Sequence, residues 1–199
     1  MAIDTGFLIT PADLQAVGGI RQILVCEYTN ITAIAPTSPN ADHTITGITD
    51  TAALARFEFK NETASMSIAG STENGSTVYE VSLAFFVPNM SSAQFKRLKM
   101  LTQVDENDLT PETQPCVAVV EMNSGKKFVV GLSYAHGGLT GIGNKQAYAT
   151  LTSLEGGSGD AYSSDNGVTV TIMARQFELP YEYTGTITIN AGGVTAGLS

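Results

Sequence analysis

The 199-residue chain has no tryptophan, two cysteines, two histidines and only ten Lys and Arg residues. Each shortage removes a class of function. Ten basic residues against nineteen acidic ones leave a net charge of −9. Gripping nucleic-acid phosphates requires clustered Lys and Arg, so this chain is a poor candidate for it. An acidic surface that DNA passes without sticking remains compatible. His43 and His136 stand apart, and no C-x-x-C or H-x-x-x-H pair is present, so neither a metal nor a cofactor is expected. No apolar run approaches the ~18 residues of a helical membrane span. The opening MAIDTGFLITPADLQ lacks the basic start of a secretory signal and carries Asp4 early. The chain is therefore expected to be made in the cytoplasm and kept there until assembled.

Cys26 and Cys116 each lie within an apolar run and are expected as buried free thiols. A disulfide stays open if their strands are neighbours. Asn-x-Ser/Thr triplets at Asn30, Asn61, Asn74 and Asn89 have no export signal and are read as composition. Charged residues make up 15% of the chain, against about 25% in ordinary globular domains. Ser, Thr, Asn and Gly fill the difference, which suits a β-rich protein whose lightly charged surface meets copies of itself. The ten basic residues are unevenly placed: Lys96, Arg97 and Lys99 sit together, and Lys126 and Lys127 share one turn.

What is present is mostly strand-like. RQILVCEYTNITAI (21–34) is rich in β-branched residues. APTSPNADHTITG reads as a loop before a short strand at 43–48. In LARFEFKNETASMSIAG (54–70), Phe57 and Phe59 alternate with Arg56, Glu58 and Lys60, and an irregularity is expected near Asn61. Asn74-Gly75 marks a hairpin, after which Tyr79, Val81, Leu83, Phe85 and Val87 share one face. Pro88 stops that strand. Ser91 and Gln94 form a capping-box pattern, and Phe95, Leu98 and Leu101 recur at helical spacing, predicting one helix over about 92–103. Its apolar stripe should pack on a sheet.

CVAVVEM and KFVVGLSY form a second hairpin around Asn123-Ser124-Gly125-Lys126. AYATLTSL (147–154), VTVTIMARQFELPYEY (168–183) and GTITIN (185–190) complete the strands. Polar stretches at 135–144 and 155–167 separate them. The expected fold is mainly β: an antiparallel β-sandwich or flattened barrel with one flanking α-helix. Residues 1–20 are an expected N-terminal arm, 21–190 a single domain and 191–199 a C-terminal tail ordered by contact with another subunit.

Candidate chemistry is thin. Gly141 and Gly143 lack the third glycine and following helix of a dinucleotide site. No P-loop or G-x-S-x-G elbow is present. The acidic run Asp105, Glu106 and Asp108 lacks the turn glycine of a calcium loop, and Asp160 and Asp165 sit in an equally irregular stretch. Phe57, Phe59, Phe85 and Phe86 read as core rather than as a stacking platform. No catalytic residue is assigned.

The order of elements resembles something. Paired strands, a short helix after Val87-Pro88, an acidic loop, the VVEMNSGKKFVVG hairpin and long polar loops are similar to tail-tube and neck-ring proteins of tailed bacteriophages. That resemblance implies a virion protein, made in the host cytoplasm, that assembles through sheet edges, loops and arms into rings, commonly hexameric. The rings stack into a tube or collar that DNA crosses without specific binding. The partners implied are copies of the chain and other tail, neck or portal proteins, with no membrane span. Interface positions are expected at Lys96, Arg97 and Lys99 on the helix, at Asp42 in the 36–50 loop, and at Asp160 and Asp165 in the 155–167 loop. The arm and tail are expected to join them. A capsid decoration or carbohydrate-binding β-sandwich is the alternative, with Tyr134, Tyr148, Tyr162 and Tyr181 as its material. An enzyme ranks last.

Overall fold

A computed structural model describes residues 18–36, 42–73, 75–89, 91–102, 114–134, 148–158, 166–193 and 195–198. The strands in chain order are β1 (Ile20–Glu27), β2 (Ile31–Ala35), β3 (Thr44–Ile45), β4 (Gly47–Asp50), β5 (Leu54–Phe57), β6 (Ser65–Glu73) and β7 (Ser76–Pro88). Helix α1 (Ser92–Lys99) follows. Then come β8 (Cys116–Met122), β9 (Lys127–Val130), β10 (Ala149–Gly157), β11 (Gly167–Gln176), β12 (Tyr181–Tyr183), β13 (Ile187–Ile189) and β14 (Thr195–Leu198).

β1 and β8 form the centre. β1 lies antiparallel between β5 and β8. β8 then serves two partners on its other side. Ala118–Glu121 pairs with β9, and Cys116 pairs with Ala149 of β10. From this fork one branch runs β9–β12–β3 and the other runs β10–β11–β7–β6. Every pairing is antiparallel except that of β12 with β3. The long path ends at β6 and β13 and does not close, so the flattened-barrel option is not realised. The architecture is a β-sandwich with a flanking helix.

Burial explains the sequence pattern. Ile23, Val25, Cys116, Ala118, Val120 and Val130 face one core. Their neighbours Leu24, Cys26, Val117, Val119 and Val129 face a second core on the other side. Strands buried on both faces need continuous apolar runs, which is why ILVC and CVAVV lack alternation. The outer strands are covered on one face and do alternate. Val81, Leu83, Phe85 and Val87 of β7, with Val168, Val170, Ile172 and Ala174 of β11, line the first core. Phe57 and Phe59 both pack on Phe85, at 6.0 and 6.1 Å between ring centres. The small β2–β4 sheet contributes Ile31, Ile34 and Ile48 to the second core.

Both expected hairpins form, with Gly75 and Gly125 at φ +81° and +84°. The irregularity near Asn61 is a turn in which Glu62 takes φ 63°. Ser91 caps α1 by accepting from the Gln94 amide at 3.3 Å. The helix proper ends at Lys99, and a tighter turn follows, with Met100, Leu101 and Thr102 amides bonded to the carbonyls three residues back.

Four expectations need correction. The segment 127–134 is not one strand. Gly131 sits at φ +86°, and a Cβ there would lie 2.6 Å from the Ala149 amide nitrogen and 2.8 Å from the Cys116 carbonyl oxygen. β9 therefore stops where β10 takes its place beside β8. Residues 168–183 break at Phe177–Pro180 into β11 and β12. Phe95 does not join the core; it is 46% exposed, whereas Leu98 and Leu101 are buried. The helix seats on those two leucines, and Phe95 lines a groove together with Leu154, Gly156 and Val168. Finally, Thr195–Leu198 is no trailing tail. It forms β14, paired with β13 and β5, and Ala196 is fully buried in the second core.

Candidate assembly surface and apolar cavity

The helix carries the basic cluster in its last turn, where positive charge complements the carbonyl end of the helix. All three side chains are exposed. At about 100° per residue they do not share one face. Arg97 and Lys99 lie on opposite flanks, with Lys96 pointing outward between them. Arg97 borders a cavity against β1 and β5, and Lys99 borders the Phe95 groove against β10 and β11. Among the described residues Lys96 and Arg97 have no ion-pair partner. The other basic pair is used within the fold. Lys126 bonds Glu182 at 2.6 Å, and Lys127 donates to the Gly185 carbonyl and lies 5.4 Å from the Tyr183 ring centre.

Asp42 is exposed at the turn that enters β3, and within the expected 36–50 interface loop residues 44–45 and 47–50 form β3 and β4. Asp160 and Asp165 lie outside the described residues, as do residues 1–17 of the expected N-terminal arm, His136 and the glycine pair at 141 and 143, whereas Ile20 of that arm already opens β1. The described ends of the 155–167 stretch extend β10 and β11 instead of looping.

β6 is the outer edge of the long sheet branch. It pairs with β7 in an unbroken register from Ser65 to Glu73 and, among the described residues, with nothing on its other side. Ser67 through Thr72 are all exposed, including Ile68 at 45%. Edge strands in soluble proteins are normally protected by charge, proline, a bulge or shortness. Ser65–Thr72 has no charge and no proline, the register has no bulge, and the strand is nine residues long.

The cavity beside α1 has a volume of about 600 Å³. It sits at the open end of the sandwich, where β1 ends and β8 begins. Phe57, Phe59, Val87, Leu98 and Leu101 form its apolar wall. Arg56, Arg97, Glu27 and Glu58 supply two positive and two negative charges. Gln114 also lines it and is only 7% exposed. Among the described residues three buried side-chain atoms lack a hydrogen-bond partner, Asp50 Oδ2, Arg56 Nε and Gln114 Oε1. Two of the three therefore belong to cavity residues. Arg56 Nη1 donates to Glu58 Oε1 at 3.2 Å and to the Gly193 carbonyl at 3.1 Å.

Cys26 and Cys116 reach this cavity from opposite faces of the sheet. Cys26 stands opposite Val117 and Cys116 opposite Glu27, one residue out of phase. Their side chains enter different cores, so both remain free thiols. Burial pushes the Cys26 thiol up to about 12, helped by the charge of Asp50, and burial pushes Cys116 to the same value. A protonated thiol is a poor nucleophile. Cys116 Sγ donates to the Ala149 carbonyl at 3.2 Å, tying β8 to β10 at the fork.

A polar cluster clips the β11–β12 break. Glu178 Oε2 accepts from Ser133 Oγ at 2.8 Å and from the Tyr134 amide at 2.9 Å. Burial, then the Glu178 charge, drives the Tyr181 hydroxyl up to about 12. His43 stacks on the Tyr181 ring at 3.9 Å and meets the Leu179 carbonyl through Nε2 at 2.9 Å. Tyr134 and Tyr181 are thus buried structural groups, and Tyr148 packs edge-on against Tyr28. They form no exposed aromatic patch; Tyr162 lies outside the described residues. No three His, Cys, Asp or Glu side chains among the described residues are grouped to hold a metal. No described helix is long and apolar enough to cross a membrane.

No family model, characterised protein or solved structure matches this chain. Sequence reasoning missed Gln114, which sits between an acidic stretch of sequence and Pro115. Its burial has no local signal.

Proposed function

We propose that the chain is a virion structural subunit that assembles with copies of itself into rings or a tube of a bacteriophage tail or neck, through which DNA passes. The observation that carries this reading is the β6 edge. The outward-facing backbone donors and acceptors of this nine-residue strand are a template for another strand, and such an edge is an aggregation hazard unless a defined partner covers it. A neighbouring copy placed by rotation would cover every edge in a closed ring. The net charge of −9 supports a conduit, because like charge disfavours capture of passing DNA. The basic residues of α1 contrast with that charge and suit docking against an acidic neighbour.

Solution mass and negative-stain imaging of the purified protein, and of its native particle, test the reading. Rings or stacked tubes of a single symmetry are expected. A monomer in both settings, at concentrations up to those of an assembling virion, would defeat it.

A further inference from the structure

The branch β10–β11–β7–β6 has a second open edge. β10 meets β8 only where Ala149 pairs with Cys116. Beyond that bridge, Thr150–Gly157 pairs with β11 on one side and, among the described residues, with nothing on the other. The branch is thus bounded by two long edges of similar length, the nine residues of β6 and those of β10 after Ala149. β10 with β11, β11 with β7 and β7 with β6 are all antiparallel. Over these four strands the direction alternates, so β6 runs opposite to β10. Rotation about an axis along the strands preserves direction. β6 of one copy therefore meets β10 of the next as an antiparallel pair, and the alternation continues from copy to copy.

Both edges also carry uncovered apolar side chains on one face. Residues directly opposite each other in an antiparallel pair point to the same side. Ile68 is opposite Val81, and Leu154 is opposite Val170. Val81 and Val170 are fully buried in the first core, so Ile68 and Leu154 stand on the core-facing side of the branch at its two edges. Yet Ile68 is 45% and Leu154 41% exposed. Leu154 lies in the groove with Phe95, itself 46% exposed.

Resting on the ring reading above, we propose that β6 of one copy pairs antiparallel with Thr150–Gly157 of the next, with Ile68 opposite Leu154 and seated over the Phe95 groove. Each copy gives one edge and receives the other, so the contact is head-to-tail and repeats. Backbone pairing covers both edges at once, and the three exposed apolar side chains cover one another. The rival arrangements do less. Two-fold pairing of β6 with itself leaves the β10 edge and the Phe95 groove open. β13, at the other end of the long path, has only three residues to set against the nine of β6.

The test introduces Ile68→Cys and Leu154→Cys, separately and together, into the full chain and oxidises the assembled protein with copper phenanthroline. Directly opposite residues bring their Cβ atoms to roughly 4.5–5.5 Å, a small shift from disulfide geometry. Native Cys26 and Cys116 are buried and stay out of the reaction. On a non-reducing denaturing gel the double variant should give a ladder of linked multimers ending at the ring size, and each single variant only monomer. Phe95→Ala should raise the protein concentration at which rings form at least fivefold while circular dichroism stays unchanged. Should the cysteine variants fail to assemble, the Phe95→Ala comparison decides alone. Rings without a ladder, or Phe95→Ala rings at an unchanged concentration, would overturn this pairing and leave the ring reading standing. A linked dimer of Ile68→Cys alone would show two-fold β6 pairing and overturn it as well. Monomers of the unsubstituted chain, in solution and in the native particle, would defeat both readings.

Discussion

Replacing Gly131 by alanine tests the account of the fork that gives β8 two partners. Gly131 and Gly125 adopt nearly the same backbone conformation, at φ +86° and +84°. Their surroundings differ. A Cβ at 125 meets nothing within 4 Å, whereas one at 131 lies 2.6 Å from Ala149 N and 2.8 Å from Cys116 O. Both of those atoms are backbone and cannot swing away. The left-handed conformation costs a non-glycine residue about 1–2 kcal/mol. Stiffening of the unfolded chain returns roughly 0.4–1 kcal/mol. Gly125→Ala should therefore destabilise by about 1 kcal/mol. At 131 the overpacking adds roughly 1–3 kcal/mol, for a total near 3 kcal/mol. At about 2–4 °C per kcal/mol for a chain of this size, Tm should fall by roughly 6–12 °C. Urea unfolding of both variants gives the comparison. Equal losses would mean that the β8–β9–β10 fork does not close tightly on Gly131, and the steric argument would fail.

Other outcomes follow from the same geometry. Leu98→Ala should cost about 2–5 kcal/mol in urea unfolding because Leu98 anchors α1 in the core, while Phe95→Ala should stay within about 0.5 kcal/mol; the reverse order would show that the helix seats on its other flank. Cys26 and Cys116 have raised folded-state values of about 12, so the stability they contribute is complete below the unfolded thiol range near 9 and is lost as pH rises toward 12. Each thiol adds a slope of up to about 1.4 kcal/mol per pH unit in that window, and a Cys26→Ala/Cys116→Ala variant should show a correspondingly flatter decline between pH 9 and 11. An identical slope in the variant would contradict their burial. Reversing Lys96, Arg97 and Lys99 to glutamate should impair assembly while circular dichroism reports a folded chain, and normal rings from that variant would remove the helix from the docking surface.

Much of this fold was legible because its signals are local. The Asn-Gly pair at 74–75 and the Ser124-Gly125 turn announce their hairpins by sequence, and Gly75 and Gly125 take the positive φ such turns require. Alternation in β7 and β11 shows a strand covered on one face. Ser91 reads as a cap because the hydroxyl needs only the Gln94 amide. The rest depends on distant partners. Gly131 looks like any strand glycine until Ala149 and Cys116 close on it. The segment 195–198 looks like a trailing end until β5 offers it an edge. β3 and β12 are short and meet in parallel across more than a hundred residues, which no local pattern encodes. At the candidate surface the three basic residues were visible, and their separation onto opposite flanks follows from helical spacing alone. The orphaned oxygen of Gln114 was not visible, since that residue is tied to a distant partner, its amide donating to the Leu101 carbonyl at 3.2 Å.

Hydrogen exchange at the β6 backbone tests the central claim most directly. Amides of Met66–Thr72 that point away from β7 have no partner among the described residues of a single copy. Compared between dispersed and assembled protein, they should exchange freely in the first and become strongly protected in the second, while amides of β1 and β8 are protected in both. Rings or tubes in which the outward β6 amides exchange as fast as in the dispersed chain would contradict assembly through this edge.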